Sequence, residues 1–583
     1  MTTTIIRGIL ALFVTQAMLG QAGLVPKQKL VIEGGTLIDG TGRAPLANSV
    51  IIIEGDRITA VGERGQVSTP PGARILEVSG KFILPGLSDM HIHWQDWMPE
   101  LFLAYGVTSV VDLESGEWTL DQRQLISDGR MKGPRIFTAS HSLFGRLIWD
   151  SPESSIRPVL TSPEMARRQI RSFGPGRASY NLTKIYTELA PDHLEAIAEE
   201  SHALGRNVMG HLGSLDARQA ARLGIDGLAH GSGIALATIA DPVKARELRT
   251  FVRLGIAVDY PFFLMYHAYT DAALMEELIE LLVEEDVSVE FEQVNTAGRW
   301  VPENIEKWSA EDTRLMQNPD LQYIPASTRD RVLYYQPYYQ LSDEQRRLVA
   351  EGYQKRRDFL GKFAQAGGKV LAGTDSASFL LPGISLHREL ELLVEAGLTP
   401  MEAIQAATQN NFEFLQVNDL GTLEPGKLAD LIILSEDPLE DIRNTRKLET
   451  VIKNGQVVDT SYTPDFTNPL PRGFAVGGFI NPIPYIRVMY PMSVSRPRQE
   501  VTLRIEGTNL VDESVVEFDG IEVPSEPVPS TLLEETRFNP VYTQLEVTVP
   551  AGLLTRVGSY SVMVKNPRPQ GGTSNRVTFF VAP

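Results

Sequence analysis

From about residue 81 to residue 415 the chain keeps one rhythm: a short apolar run, a loop, a stretch of helical period, then another apolar run. The runs are FILPGLSDMHIH, TSVVDLE, PRIFTAS, NLTKIYTE, NVMGHLG, GLAHGSG, IAVDYPF and KVLAGTDS. Segments such as DHLEAIAEESHALG and SLDARQAARLG supply the helices between most of them. Strands joined through helices run parallel, and eight of them are the number that closes a (β/α)8 TIM barrel. The expected class is therefore α/β, with the barrel at 81–415 and a long insertion at about 262–345, between the seventh and eighth strands. That insertion is rich in charge and aromatics (NTAGRWVPENIEKW, YYQPYYQL) and reads equally as a lid or as surface elaboration.

The flanks have a different grammar. Residues 28–80 (KLVIEGGTLIDGTG, NSVIIIEGDRITAVG, ARILEVSG) show apolar alternation cut by Gly-Asp, Asp-Gly and Gly-Gly, and a similar idiom returns in 416–461 (GKLADLIIL, LETVIKNGQVVDT). Two β-rich pieces at either end of the central unit imply one small sandwich assembled from both. Residues 462–485 are dense in Pro and Gly and read as a linker. Residues 486–583 (EVTLRIEGTNL, SVVEFDG, QLEVTVP, SYSVMVKN, RVTFFVAP) have the turn spacing of an Ig-like β-sandwich. At the other end, Arg7 followed by GILALFVTQAMLGQAG is too short to span a membrane and fits a signal peptide over 1–22. The expected location is thus the periplasm or the exterior, with no transmembrane segment.

Composition excludes several chemistries. A net charge of −19 over 583 residues argues against nucleic acid as a partner, since phosphate binding needs a basic face. With no cysteine there is no disulfide, no thiolate ligand and no cysteine nucleophile. Any metal must be held by histidine, carboxylate or something less ordinary.

Only nine histidines are present, and two of them, His91 and His93, share one face of the first strand end by alternation. His211 ends the fifth strand, His230 the sixth and Asp375 the eighth, while Lys184 lies in the fourth. Barrel enzymes carry their chemistry at the C-terminal ends of the strands, so these six form one candidate constellation. Each alone is ordinary, because a strand-end histidine commonly serves structure and a rim Lys or Asp is commonly solvated. Their coincidence points to a metal centre. His141, in TASHSLFG, and Tyr186, on the face of Lys184, are candidate substrate contacts. His193 and His202 read as surface residues, His387 and Arg388 as helix decoration, and His267 is unassigned.

Over residues 28–461 these motifs, with the opening LPGLSDMHIH and the closing AATQNNFEFLQVNDLGTLEPGKLADLIIL, resemble the amidohydrolase superfamily of metal-dependent hydrolases. GISLHRELELLVEAGLTPMEAIQAAT is similar to the imidazolonepropionase and Xaa-Pro dipeptidase branch, and TLRIEGTNL…SVVEFDG to IPT/TIG-type Ig domains. The resemblance implies two divalent ions, zinc first, with His91, His93 and Asp375 at one and His211 and His230 at the other. Lys184, N6-carboxylated, would join them. It further implies that a metal-bound hydroxide attacks a carbonyl while Asp375 takes and returns the proton, cleaving an amide bond of a dipeptide or N-acyl amino acid. Alternatives stay open: deamination of a heterocycle, ester, lactone or phosphotriester hydrolysis, or an inactive exported binding protein. Deaminases of the superfamily carry Glu three residues after the strand-five histidine, where this chain has Ser214. Homo-oligomers occur in the superfamily, and the Ig-like tail would contact another protein or the cell envelope.

Overall fold

The computed structural model describes residues 29–145, 159–173, 180–253, 261–325, 328–329, 332–333, 337–376, 380–464, 466–470, 484–495, 497–511, 514–528, 532–535, 540–566 and 572–582. The proposed signal peptide lies outside the described residues.

Eight short strands run through the central region: β1 (Leu87–Ile92), β2 (Val107–Asp112), β3 (Arg135–Thr138), β4 (Thr183–Ile185), β5 (Val208–Gly210), β6 (Gly227–Leu228), β7 (Ser288–Glu290) and β8 (Val370–Leu371). Pairing is parallel within β1-β2-β3 and within β4-β5-β6-β7-β8. Parallel bridges from Ala139 to Leu182 and from Ile92 to Ser376 join the two groups at both seams. At the second seam the Asp375 N–H donates to the His91 carbonyl at 2.8 Å. The strands are buried along nearly their whole length, as expected where helices cover a parallel sheet.

One assignment from the sequence is corrected. The seventh strand is expected at IAVDYPF, of which residues 256–260 lie outside the described residues. The strand between β6 and β8 is instead Ser288–Glu290, inside the expected insertion, and the helix Ala272–Glu284 precedes it. The run SVEFE places two glutamates where apolar residues mark a buried strand, so hydropathy reads it as a charged loop. The elaboration is therefore confined to the β7–β8 connection. It carries α1 (Gln293–Trp300), α2 (Pro302–Met316) and α3 (Asp343–Gln365), while α4 (Ile384–Glu395) follows β8.

The flanking strands form a four-stranded sheet from residues 29–77 and a five-stranded sheet that mixes both ends of the unit. In the latter, Phe82–Pro85 pairs antiparallel with Leu431–Leu434, Ile83 opposite Ile433. Leu30, Ile32, Ile51, Ile53, Ile83, Leu431 and Ile433 share one core between the two sheets. The first part of the expected linker is not free: Thr463 is bound to the Glu100 carboxylate, and the Leu470 carbonyl accepts from Gln122 and Trp118. Residues 471–483 lie outside the described residues. The C-terminal region forms two mainly antiparallel sheets around Ile486, Leu503, Ile505, Phe518, Val562 and Phe579, a β-sandwich. Among the described residues no helix is long and apolar enough to cross a membrane.

Candidate metal centre

The C-terminal ends of the eight strands bring the sequence candidates together. His91 is the fifth residue of β1 and His93 lies just past its end. Asp89 fixes this strand end. Its carboxylate accepts from the Thr374 N–H at 3.0 Å, the Thr374 hydroxyl at 2.7 Å and the His91 N–H at 3.2 Å. Burial raises its pKa to about 7. Asp375 follows Thr374, with Oδ1 3.1 Å from His93 Nε2 and 3.9 Å from His91 Nε2. Its Oδ2 accepts from the Asn295 amide of α1 at 2.7 Å.

The remaining histidines complete the cluster. The His230 ring is centred 4.9 Å from that of His91 and 4.4 Å from that of His211. Tyr186 stacks edgewise on His211 at 4.8 Å. Lys184 is buried in β4, and its Nζ has no hydrogen-bond partner among the described residues. His211 Nδ1 is likewise unpartnered. His141, by contrast, packs near Tyr180, at 6.4 Å between rings.

Three residues at this rim were not singled out from the sequence: Glu290, Glu292 and Asn295. Glu290 ends β7, and its Oε2 lies 3.0 Å from His91 Nδ1. Glu292, two residues on, contacts the same Nδ1 through Oε1 and His230 Nδ1 through Oε2, the latter at 2.5 Å. A two-residue Glu-x-Glu spacing is the glutamates' one mark in the sequence, and among 73 acidic residues it does not stand out. Gly373 is needed here, since a Cβ at that position would lie 1.7 Å from Glu290 Oε1. Three other readings are corrected, and the unassigned His267 is placed. His387 is buried between the Tyr105 carbonyl and the Thr445 hydroxyl, and Arg388 is buried against Asp312 and Glu311. His193 is buried rather than on the surface. His267 is buried as well.

The backbone is strained at the same place. His230, Glu292 and Asp375 have φ of 60°, 48° and 57°. Left-handed backbone at such residues costs about 1–3 kcal/mol each and persists where surrounding contacts over-determine it. Those contacts are present. Arg356 of α3 donates to the carbonyls of His230 at 3.2 Å and Phe291 at 2.8 Å. The Glu389 carboxylate of α4 accepts from the N–H groups of Gln293 and Val294 at 3.0 and 2.6 Å, capping α1 directly after Glu292.

Electrostatics suit a cation. Burial lowers the pKa of His91 to about 4 and holds that of His211 well below its ordinary value, leaving neutral rings with lone pairs. Burial also depresses Lys184, against the pull of Glu290, Glu292 and Asp375. Burial, and then the neighbouring Glu292, push Glu290 well up. Burial opposes ionisation of Glu292 too, yet His230 and His91 hold it well below the usual carboxylate range. Ligand atoms of His91, His93 and Asp375 lie within 4.8 Å of one another, as do those of His91, His230 and Glu292. Imidazole and carboxylate donors at this spacing, beside a buried amine and a buried ring nitrogen without hydrogen-bond partners among the described residues, fit a divalent-metal centre.

Residues 183–458 match the amidohydrolase family. This amidohydrolase match runs from β4 to the five-stranded flanking sheet and contains Lys184, His211, His230, Glu290, Glu292 and Asp375; His91 and His93 lie ahead of it. Members of the family usually bind divalent metals. An 82-residue segment is 44% identical to ochratoxinase from Aspergillus niger, covering 14% of this chain and 16% of that protein. A 67-residue segment is 39% identical to 5-methylthioadenosine/S-adenosylhomocysteine deaminase from Symbiobacterium thermophilum, covering 11% and 15%. The chain thus spans under a fifth of the length of these curated relatives. Structural likeness is broader. A Xaa-Pro dipeptidase with bound methionine aligns with TM-score 0.51 at 20% identity over 74% of this chain and 100% of its own. A. niger ochratoxinase gives 0.53 at 20% over 76% and 99%. At these identities the likeness is one of fold.

Proposed function

We propose that this chain is a metal-dependent hydrolase that cleaves the amide C–N bond of a small molecule such as a dipeptide or N-acyl amino acid. One observation carries the reading: six chemically apt side chains from five strands, His91, His93, Lys184, His211, His230 and Asp375, gather at one rim of a ring of parallel strands. On this reading the ring is a (β/α)8 barrel with its site at the C-terminal face. Zinc is the preferred ion, held by His91, His93 and Asp375 on one side and by His211 and His230 on the other. Lys184, buried and without a hydrogen-bond partner among the described residues, would be carboxylated and join the two sides. The Ig-like tail and export to the periplasm or exterior belong to the same proposal.

Divalent ions bound there polarise a carbonyl and acidify water. The protein's own part is proton handling and orientation. Asn295 donates to Asp375 Oδ2 while Oδ1 faces His93, and the carboxylate so held takes the proton of the attacking water. As water adds to the carbonyl carbon and the C–N bond breaks, that proton passes to the departing nitrogen. Tyr186, packed on His211, is positioned to bind the substrate's polar end.

Deamination is the second reading, favoured by the matched deaminase segment. Ser214, where the superfamily's deaminases carry Glu, weighs against it, and its N–H and hydroxyl are engaged by Glu188. Metal analysis with a panel of Xaa-Pro dipeptides, N-acyl amino acids and amino-heterocycles decides. About two equivalents of metal with release of a free amine supports amide hydrolysis. One equivalent with ammonia released from a heterocycle replaces it with deamination.

A further inference from the structure

We infer that Glu292 is a positioning residue that sets the tautomers of two metal-ligand histidines at once, and so couples the two halves of the centre. The inference rests on the metal-centre reading above. Glu292 is the only described carboxylate whose two oxygens each meet the Nδ1 of a different histidine, Oε1 at His91 and Oε2 at His230.

Neither contact has the line of a full hydrogen bond. A carboxylate can nevertheless only accept and repels a lone pair, so at this separation the tautomer favoured in each ring carries its hydrogen on Nδ1. A neutral imidazole has a single lone pair, which both rings then present at Nε2. For His91 that nitrogen is on the side of Asp375 Oδ1, the oxygen that His93 Nε2 also approaches. The triad of His91, His93 and Asp375 therefore works through Nε2. His91 cannot lend Nδ1 to a second ion beside Glu292 while it does so. This removes Glu292 as a co-ligand with His91 and leaves it as the acceptor that orients both rings, the arrangement by which outer carboxylates fix metal-bound histidines.

Placement of the residue agrees. Glu292 sits in left-handed backbone between two buried anchors, Arg356 on the Phe291 carbonyl and Glu389 on the next two N–H groups. A side chain needed only to fill space would not require this. Glu290 serves as the internal contrast, because the one described histidine its carboxyl group meets is His91.

The test is titration of the metal-free full-length protein with Co²⁺, following the visible d–d absorption, for wild type, E292Q and E290Q. An amide offers one acceptor and one donor, so in E292Q one ring loses its acceptor and turns its N–H toward the ion. The expected result is a loss of affinity of about tenfold or more at every ion the wild type binds, with a shifted d–d spectrum. E290Q should weaken only the ion held with His91. E292D retains the charge but lacks the reach for both rings; it should behave as E292Q does, and it stands in if E292Q does not fold. Wild-type affinity and spectrum in either Glu292 variant overturn the inference. Complete loss of one ion with the other unchanged also overturns it, making Glu292 a ligand. Should the wild type bind no Co²⁺, the metal-centre reading fails instead.

Discussion

Two strand ends meet at the centre with the same spacing and opposite chemistry. β1 delivers His91 and His93, two residues apart; β7 delivers Glu290 and Glu292, two residues apart. The histidines present nitrogens toward Asp375, whereas the glutamates meet the far side of the rings. One end supplies lone pairs and the other decides where those lone pairs point. A donor set at such a site is thus half of its construction, and the other half is the row of acceptors behind it.

If the two ends divide the work in this way, damage to them should differ in size. His93→Asn removes a donor outright. Turnover of the substrate found in the panel should fall well beyond the roughly 10–100-fold attached to outer partners, with measured metal content reduced. Gly373→Ala strikes chiefly the other end: its new Cβ would fall on Glu290 Oε1, with the Cβ of His91 the next neighbour at 2.9 Å. It should cost about 10–100-fold in metal affinity, read by competition with a chromophoric chelator. Equal losses in the two variants would erase the distinction between the strand ends.

Arg356→Met withdraws the donor shared by the His230 and Phe291 carbonyls. Denaturant titration should show a loss of about 2–4 kcal/mol, since buried carbonyls are left unsatisfied, with metal affinity lowered as β7 relaxes. Smallest of all, His202→Gln alters an exposed pair with Asp226 far from the rings. Stability should move by less than about 1 kcal/mol and metal content not at all.

The contrast between β1 and β7 also explains what could be read from the chain. Histidine is rare here, nine in 583 residues, so two spaced for one strand face stand out. Acidic residues number 73, and a Glu-x-Glu pair after the helix EELIELLVEED carries no such signal. Hydropathy compounded the problem, because a strand whose glutamates turn into the site lacks the apolar run that marked the others. IAVDYPF possessed that run and drew the assignment. His91, Lys184, His211, His230 and Asp375 were legible because each follows or sits within a clear apolar stretch. Asn295, Arg356 and Glu389 act from helices beyond β7 and reach the rim only through folding, so no local pattern announces them.

The antiparallel match of Phe82–Pro85 with Leu431–Leu434 has a consequence during synthesis. The peptide that leads directly into β1 has Thr36–Leu37 for one edge but finds its antiparallel partner only after the ribosome has made most of the protein. A nascent chain halted short of Leu431 exposes the edge of a four-residue apolar strand beside the histidine pair, a sticky template that chaperones would need to shield.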